Sequence, residues 1–179
     1  TAVAYAKAIF AQWGADATTL NPYLGTDSIE PFLEYEDRVS IILVRTSNPG
    51  SEDFQTLPVR VGYGHEPLYK KVAEAANGWN ARGNVGVLVG ATYPQELKEV
   101  REICPDMPIL VPGVGAQGGD IEASIQNGVN SSGRGVSINV ARQILYASRS
   151  SQFADAARKE TESLRENINH VLVSLGHSW

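Results

Sequence analysis

Ile109-Leu110-Val111-Pro112-Gly113-Val114-Gly115-Ala116-Gln117-Gly118-Gly119-Asp120-Ile121-Glu122-Ala123-Ser124-Ile125 reads as a strand, a glycine-rich loop and the start of a helix. Four glycines between 112 and 120 let backbone amides approach a ligand without Cβ interference. The first turn of the following helix leaves N–H groups unpaired, which suits an anion such as phosphate. A flexible turn joining two elements has a similar composition. The remainder of the chain has to decide between these readings.

Upstream, Val39-Ser40-Ile41-Ile42-Leu43-Val44 and Val85-Gly86-Val87-Leu88-Val89 are nearly continuous apolar, β-branched runs. That is the pattern of parallel strands buried on both faces. Asp16 to Leu20 is a shorter β-prone run, and Gly135 to Val140 reads as a last strand. Helical spacing is legible from Ala2 to Trp13, with Tyr5, Ala6, Ile9 and Phe10 on one face and Gly14 as the stop. A second helix is capped by Asp27-Ser28, carries Ile29, Phe32 and Leu33, and ends near Asp37. Others follow from Pro67 to about Gly83, from Tyr93 to Pro105, from Asp120 to Gly128 and from Phe153 to about Leu175. Arg45 to Gly50 reads as a polar loop, and residues 51 to 66 show no periodicity and read as an irregular excursion.

A helix followed by five strand–helix units implies a parallel α/β sheet. It is either an open doubly wound sheet or a (β/α)8 barrel with units missing. The loops favour the barrel, in which reactive groups follow the strands and phosphate is commonly held by the loops after the last two. Here those loops are the glycine-rich stretch and Ala141-Arg142-Gln143, whose guanidinium suits bidentate phosphate contact.

At 179 residues the chain has the size of a single domain, 1–179. A net charge of −5 and the absence of a basic stripe argue against nucleic-acid binding. No apolar stretch reaches the length of a membrane span, and the single cysteine, Cys104, has no internal disulfide partner. These features suggest a cytoplasmic protein.

Thr19-Leu20-Asn21-Pro22-Tyr23-Leu24-Gly25, Arg45-Thr46-Ser47-Asn48-Pro49-Gly50, Val89-Gly90-Ala91-Thr92 and Pro112 to Asp120 occur in order at the ends of successive strands. Together they resemble the orotidine 5′-phosphate decarboxylase family, in its longer bacterial subgroup, over essentially the whole chain. The resemblance implies a TIM-type (β/α)8 barrel, usually dimeric, that converts orotidine monophosphate to UMP in pyrimidine biosynthesis without metal or organic cofactor. It also implies that Ser47 recognises the pyrimidine and that Gln117 bridges phosphate and base. Pro112 and Gly113 then begin the binding loop, and Arg142 holds the phosphate beside the Ala141 amide.

The family's catalytic D-x-K-x-x-D motif is absent from these residues. The threonine that trails it in the family, reaching toward the partner's substrate, resembles Thr1. The expectation is therefore that about the last five strand–helix units are present and that the catalytic lysine and aspartates lie in a missing N-terminal portion. On this reading the chain carries binding determinants and is inactive alone.

Lys70, Lys71 and Lys98 read as solvated helix faces, Cys104 as semi-buried, and His65, His170 and His177 lack metal-ligand spacing. Asp16 and Arg134 precede strands, at the end away from the reactive loops. Two alternatives stay open: another phosphate-binding barrel acting on a sugar phosphate, or a non-catalytic nucleotide-binding remnant.

Overall fold

The computed structural model describes residues 1–115 and 118–178. Its centre is a parallel sheet of β1 (Ala17–Leu20), β2 (Val39–Arg45), β5 (Val85–Val89), β6 (Ile109–Pro112) and β7 (Val136–Asn139), hydrogen-bonded in that order. Neighbouring strands follow chain order without reversal. A doubly wound sheet would reverse at a switch point, so the winding is that of a barrel segment. The antiparallel hairpin of β3 (Pro58–Val61) and β4 (Gly64–Pro67) lies outside this sheet.

Helices α1 (Ala2–Ala6), α2 (Thr26–Leu33), α3 (Leu68–Trp79), α4 (Pro94–Ile103) and α5 (Ile121–Gly128) alternate with the strands. The short α6 (Arg142–Leu145) and the long α7 (Phe153–Ser174) complete the chain. Strand register aligns Leu20, Ile42, Val87, Ile109 and Val136 in one row across the sheet. Leu20, Ile42, Val87 and Ile109 are buried in one core with Phe10, Phe32, Ala73, Ala76, Leu97 and Val100. Each large apolar side chain so buried contributes about 1.5–3 kcal/mol. The alternate positions Ile41, Leu43 and Leu110 are only half-buried, so the two faces of the sheet are unequally covered.

Several local readings need correction. Residues 51–66 form a 3-10 turn (Pro49–Asp53) and the β3–β4 hairpin rather than an irregular excursion. Gly62, with φ 58°, supplies the positive φ that the first position of a two-residue hairpin turn demands. The strands Pro-Val-Arg-Val and Gly-His-Glu-Pro are too short and mixed to show an alternation. At α2 the cap position is Gly25, whose carbonyl accepts the Ser28 hydroxyl, while Asp27 lies in the first turn. That helix stops at Leu33, well before Asp37. The first helix changes winding over Lys7–Gln12, where it is a π-helix, and Tyr5 faces solvent although Ala6 and Phe10 are buried.

Cys104 is fully buried rather than semi-buried, with its thiol 3.6 Å from the Ala73 carbonyl. Burial pushes the thiol up to about 11. A raised folded-state value means that this group's contribution to stability is complete below the unfolded thiol's value and is lost as pH climbs toward 11. Cys104 should therefore resist a thiol reagent at pH 8 until denaturant is added. Stoichiometric labelling of the native chain within minutes would contradict its burial.

Candidate functional site

The C-terminal ends of β2, β6 and β7 open on a cleft of about 160 Å³ lined by Ser47, Pro112, Gly113, Val114, Asn139, Ala141 and Arg142. Ser47 follows β2, Pro112 to Val114 close β6 and lead out of it, and Asn139 to Arg142 carry β7 into α6. Strand β5 lies between β2 and β6, so Ser47 has to reach across its end. Gly90 makes this possible: a Cβ there would lie 2.9 Å from the Ser47 Cβ and 3.0 Å from its backbone nitrogen. The Gly90 N–H donates to the Arg45 carbonyl at 2.7 Å, and the Ala91 N–H donates to the Pro112 carbonyl at 2.8 Å. Backbone bonds thus fasten the end of β5 to both flanking strands.

Gly90 does not have a positive φ, so alanine at this position conflicts only with packing. Gly90→Ala should lower the melting temperature, because the backbone nitrogen and Cα of Ser47 would stand 3.0 and 3.1 Å from the new Cβ and have to shift, a strain that exceeds the gain from a more restricted unfolded chain. It should also displace Ser47 and weaken a ligand held there by at least roughly tenfold, as expected for directly contacting residues. Calorimetric binding beside a thermal melt checks both halves.

The glycine loop folds back on itself. Gly119 N–H donates to the Gly113 carbonyl and Gly115 N–H to the Gly119 carbonyl, both at 3.1 Å, and Gly118 N–H reaches the Gly115 carbonyl at 2.8 Å. Gly113, Gly115 and Gly118 have φ of 97°, 74° and 84°, values that favour glycine. Among the described residues the loop is thus held by its own hydrogen bonds, which narrows the expected amide cradle. The amides of Gly115, Gly118 and Gly119 are spent inside the loop.

The anticipated anion site at the start of α5 is corrected as well. Asp120 caps that helix, its carboxylate accepting the Ala123 N–H at 3.2 Å, which places negative charge where an anion would bind. Among the described residues lining the cleft, Arg142 alone carries charge. Gln117 and Ala116 lie outside the described residues. Thr1 is exposed at the start of α1 and does not line the cleft; its carbonyl accepts the Tyr5 N–H at 3.1 Å.

The loop carrying Ser47 is braced from below. Gln55 accepts the Thr46 N–H at 2.8 Å and donates to the Thr46 hydroxyl at 2.9 Å, and its own carbonyl accepts the Tyr69 N–H. Arg45, expected at the start of a polar loop, ends β2 and is 1% exposed. On the far side of the cleft, Gln143 donates to Glu160 at 2.6 Å and abuts the Cα of Gly115, so a side chain at 115 would strike it. Asn139 and Val114 line the cleft but were not legible as site residues, because neither stands out from ordinary strand-end composition. Asp16 pairs with Arg38 at 2.7 Å before β1, and Arg134 precedes β7, both at the opposite end of the strands.

No group of His, Cys, Asp and Glu among the described residues is arranged to hold a metal ion. No helix among them is long and apolar enough to cross a membrane.

The profile of the Orotidine 5′-phosphate decarboxylase / HUMPS family matches residues 1–157. The chain is 49% identical over 172 residues to the orotidine 5′-phosphate decarboxylase of Thermomicrobium roseum, covering 96% of this chain and 60% of that protein. It superposes on UMP synthase of Leishmania donovani with a TM-score of 0.83 and 44% identity, over 96% of this chain and 36% of that one. For OMP decarboxylase of the same organism the TM-score is 0.80 with 41% identity, over 96% and 63% of the two chains. The chain thus spans about 60% of the length of the curated relatives it matches.

Proposed function

Because the chain belongs to the orotidine 5′-phosphate decarboxylase / HUMPS family, we propose that its cleft binds the nucleotide in the cofactor-independent decarboxylation of orotidine 5′-phosphate to UMP. The observation that carries this reading is the convergence of Ser47 and Arg142 on one cleft from opposite sides of β5. Arg142 and the Ala141 amide take the phosphate, Ser47 takes the pyrimidine, and Pro112 and Gly113 form the wall between them. Gln117 is assigned the bridge from phosphate to base. Thr1 is assigned to the substrate of a second subunit in a homodimer, and the setting is cytoplasmic pyrimidine biosynthesis.

Decarboxylation leaves carbanion character on the ring, which has to be stabilised and then protonated. An ammonium group held between carboxylates serves both needs, being preorganised where charge develops and carrying the proton. The sequence holds no D-x-K-x-x-D motif, so these groups are assigned to the part of the family polypeptide that this chain does not span. Phosphate binding far from the reacting carbon contributes by fixing the base over that lysine and excluding water.

Two measurements test the proposal. The chain joined to the remainder of a family polypeptide should release carbon dioxide from orotidine monophosphate, whereas the 179 residues alone should not. The joined protein should also bind UMP more tightly than ribose 5-phosphate. Equal affinity for the two would favour a sugar-phosphate enzyme, and tight UMP binding without turnover would favour a nucleotide-binding protein.

A further inference from the structure

Arg45 is the largest of the fully buried side chains, yet its compensation is thin. Its Nη1 donates to the Ser51 hydroxyl. Nη2 lies 3.8 Å from a carboxylate oxygen of Glu52, a side chain that is 69% exposed, and Nε has no partner among the described residues. The guanidinium carbon stands 3.6 Å from the centre of the Tyr93 ring. A buried cation with so weak a counter-charge is a poor stabiliser, and an apolar side chain would fill the space at less cost. What arginine offers is a planar fork that hydrogen-bonds at one edge and stacks on its face.

Those two contacts join two loops. Ser51 and Glu52 belong to the segment that carries Ser47, and Tyr93 closes the segment that begins at Gly90. The backbone of Arg45 makes the same connection, its carbonyl accepting the Gly90 N–H. Ser47 rests directly on Gly90. Arg45 therefore fixes both sides of the surface on which Ser47 sits, although it does not line the cleft.

We propose that Arg45 is a positioning residue for the base end of the cleft, holding Ser47 over Gly90 through its fork on Ser51 and its stacking on Tyr93. The inference rests on the reading of Ser47 as the pyrimidine contact. Lysine at 45 would keep the charge and lose both the fork and the stacking plane. Methionine would keep the bulk and lose all three.

The test uses the chain joined to the remainder of a family polypeptide and compares affinities for UMP and ribose 5-phosphate. Arg45→Lys and Arg45→Met should each weaken UMP binding roughly tenfold, in the range of couplings between touching residues. Ribose 5-phosphate, held at the Arg142 end, should stay within about twofold of the unaltered protein on the same grounds. The Arg45→Lys/Ser47→Ala double variant should bind UMP no more weakly than Ser47→Ala alone, because Arg45 acts through Ser47. Should Arg45→Met fail to fold, Arg45→Lys carries the comparison.

Equal losses for both ligands would mark a merely structural role, and multiplying losses in the double variant would mark independent action; either overturns the proposal. A Ser47→Ala loss with no Arg45→Lys loss overturns the role of Arg45 and leaves that of Ser47 standing. An unchanged UMP affinity in Ser47→Ala overturns the reading of Ser47 itself, and the role of Arg45 with it.

Discussion

Arg142→Met should weaken binding of UMP by the joined protein at least roughly thirtyfold. Arg142 is the one charged residue among the described residues lining the cleft. Two of the usual substitutes for a lost cation are already engaged. The carboxylate of Asp120 occupies the start of α5, and the amides of Gly115, Gly118 and Gly119 are bonded within their own loop. A dianionic phosphate left without its guanidinium thus loses charge-assisted hydrogen bonds worth roughly 2–5 kcal/mol in comparable truncations. At about 1.4 kcal/mol per tenfold, that is a factor of thirty to several thousand. Arg142→Lys should recover part of the loss, since lysine restores the charge without the bidentate fork. Titration calorimetry at fixed ionic strength measures both variants. Binding of Arg142→Met within threefold of the unaltered protein would remove Arg142 from the phosphate site.

How far the chain was legible depends on how local each signal is. Strands such as Val85–Val89 are apolar on both faces, and that pattern survives any tertiary context. The Asp120 cap is likewise written into adjacent residues, an aspartate standing directly before a helical run. The hairpin over residues 58–67 escaped because its strands are short and pair only with each other, outside the layered core. The role of the glycines changed for a related reason. Composition shows that residues 113–119 can turn and expose amides, but only the folded loop shows the amides of Gly115, Gly118 and Gly119 bonded to its own carbonyls. Arg142 was read from its place after a strand and Ser47 from the family resemblance of its loop, whereas the glycine on which Ser47 rests, Gly90, acquires its purpose only when β5 is placed between β2 and β6.

The burial of arginines was the least legible feature. Arg45 borders a polar run and Arg101 sits in the last turn of α4, a common place for a solvated cation. In the fold, Arg101 is 8% exposed and donates to the carbonyls of Gly128, Cys104, Pro105, Met107 and Gly135. No residue pattern announces such a role, because its partners are backbone groups that any sequence supplies. Burial holds the Arg101 guanidinium below the usual arginine range, but arginine remains charged at any pH at which the protein would be studied.

Arg101→Met should therefore be the most destabilising single change at the end of the sheet opposite the cleft. It removes the donor shared by the end of α4, the end of α5 and the residues leading into β6 and β7. Each buried carbonyl left without a partner costs on the order of 1 kcal/mol or more, and the site as a whole about 4 kcal/mol. That is a large share of the roughly 5–15 kcal/mol that holds a domain folded. At about 2–4 °C per kcal/mol for a chain of this size, the melting temperature should fall by roughly 10 °C. Arg101→Lys should fall nearly as far, because three donors on a point charge cannot reach carbonyls arrayed around a planar fork. Affinity for UMP, measured well below the melt, should change little. Arg101 acts where β6 and β7 begin, while Ser47, Asn139 and Arg142 act where strands end, a separation of about 13 Å for a strand of four residues. Loss of stability with retained affinity in Arg101→Met, set against loss of affinity with retained stability in Arg142→Met, would separate the end of the sheet that holds the fold from the end that holds the ligand. If Arg101→Met unfolds at the same denaturant concentration as the unaltered protein, its shared hydrogen bonds contribute nothing and that division fails.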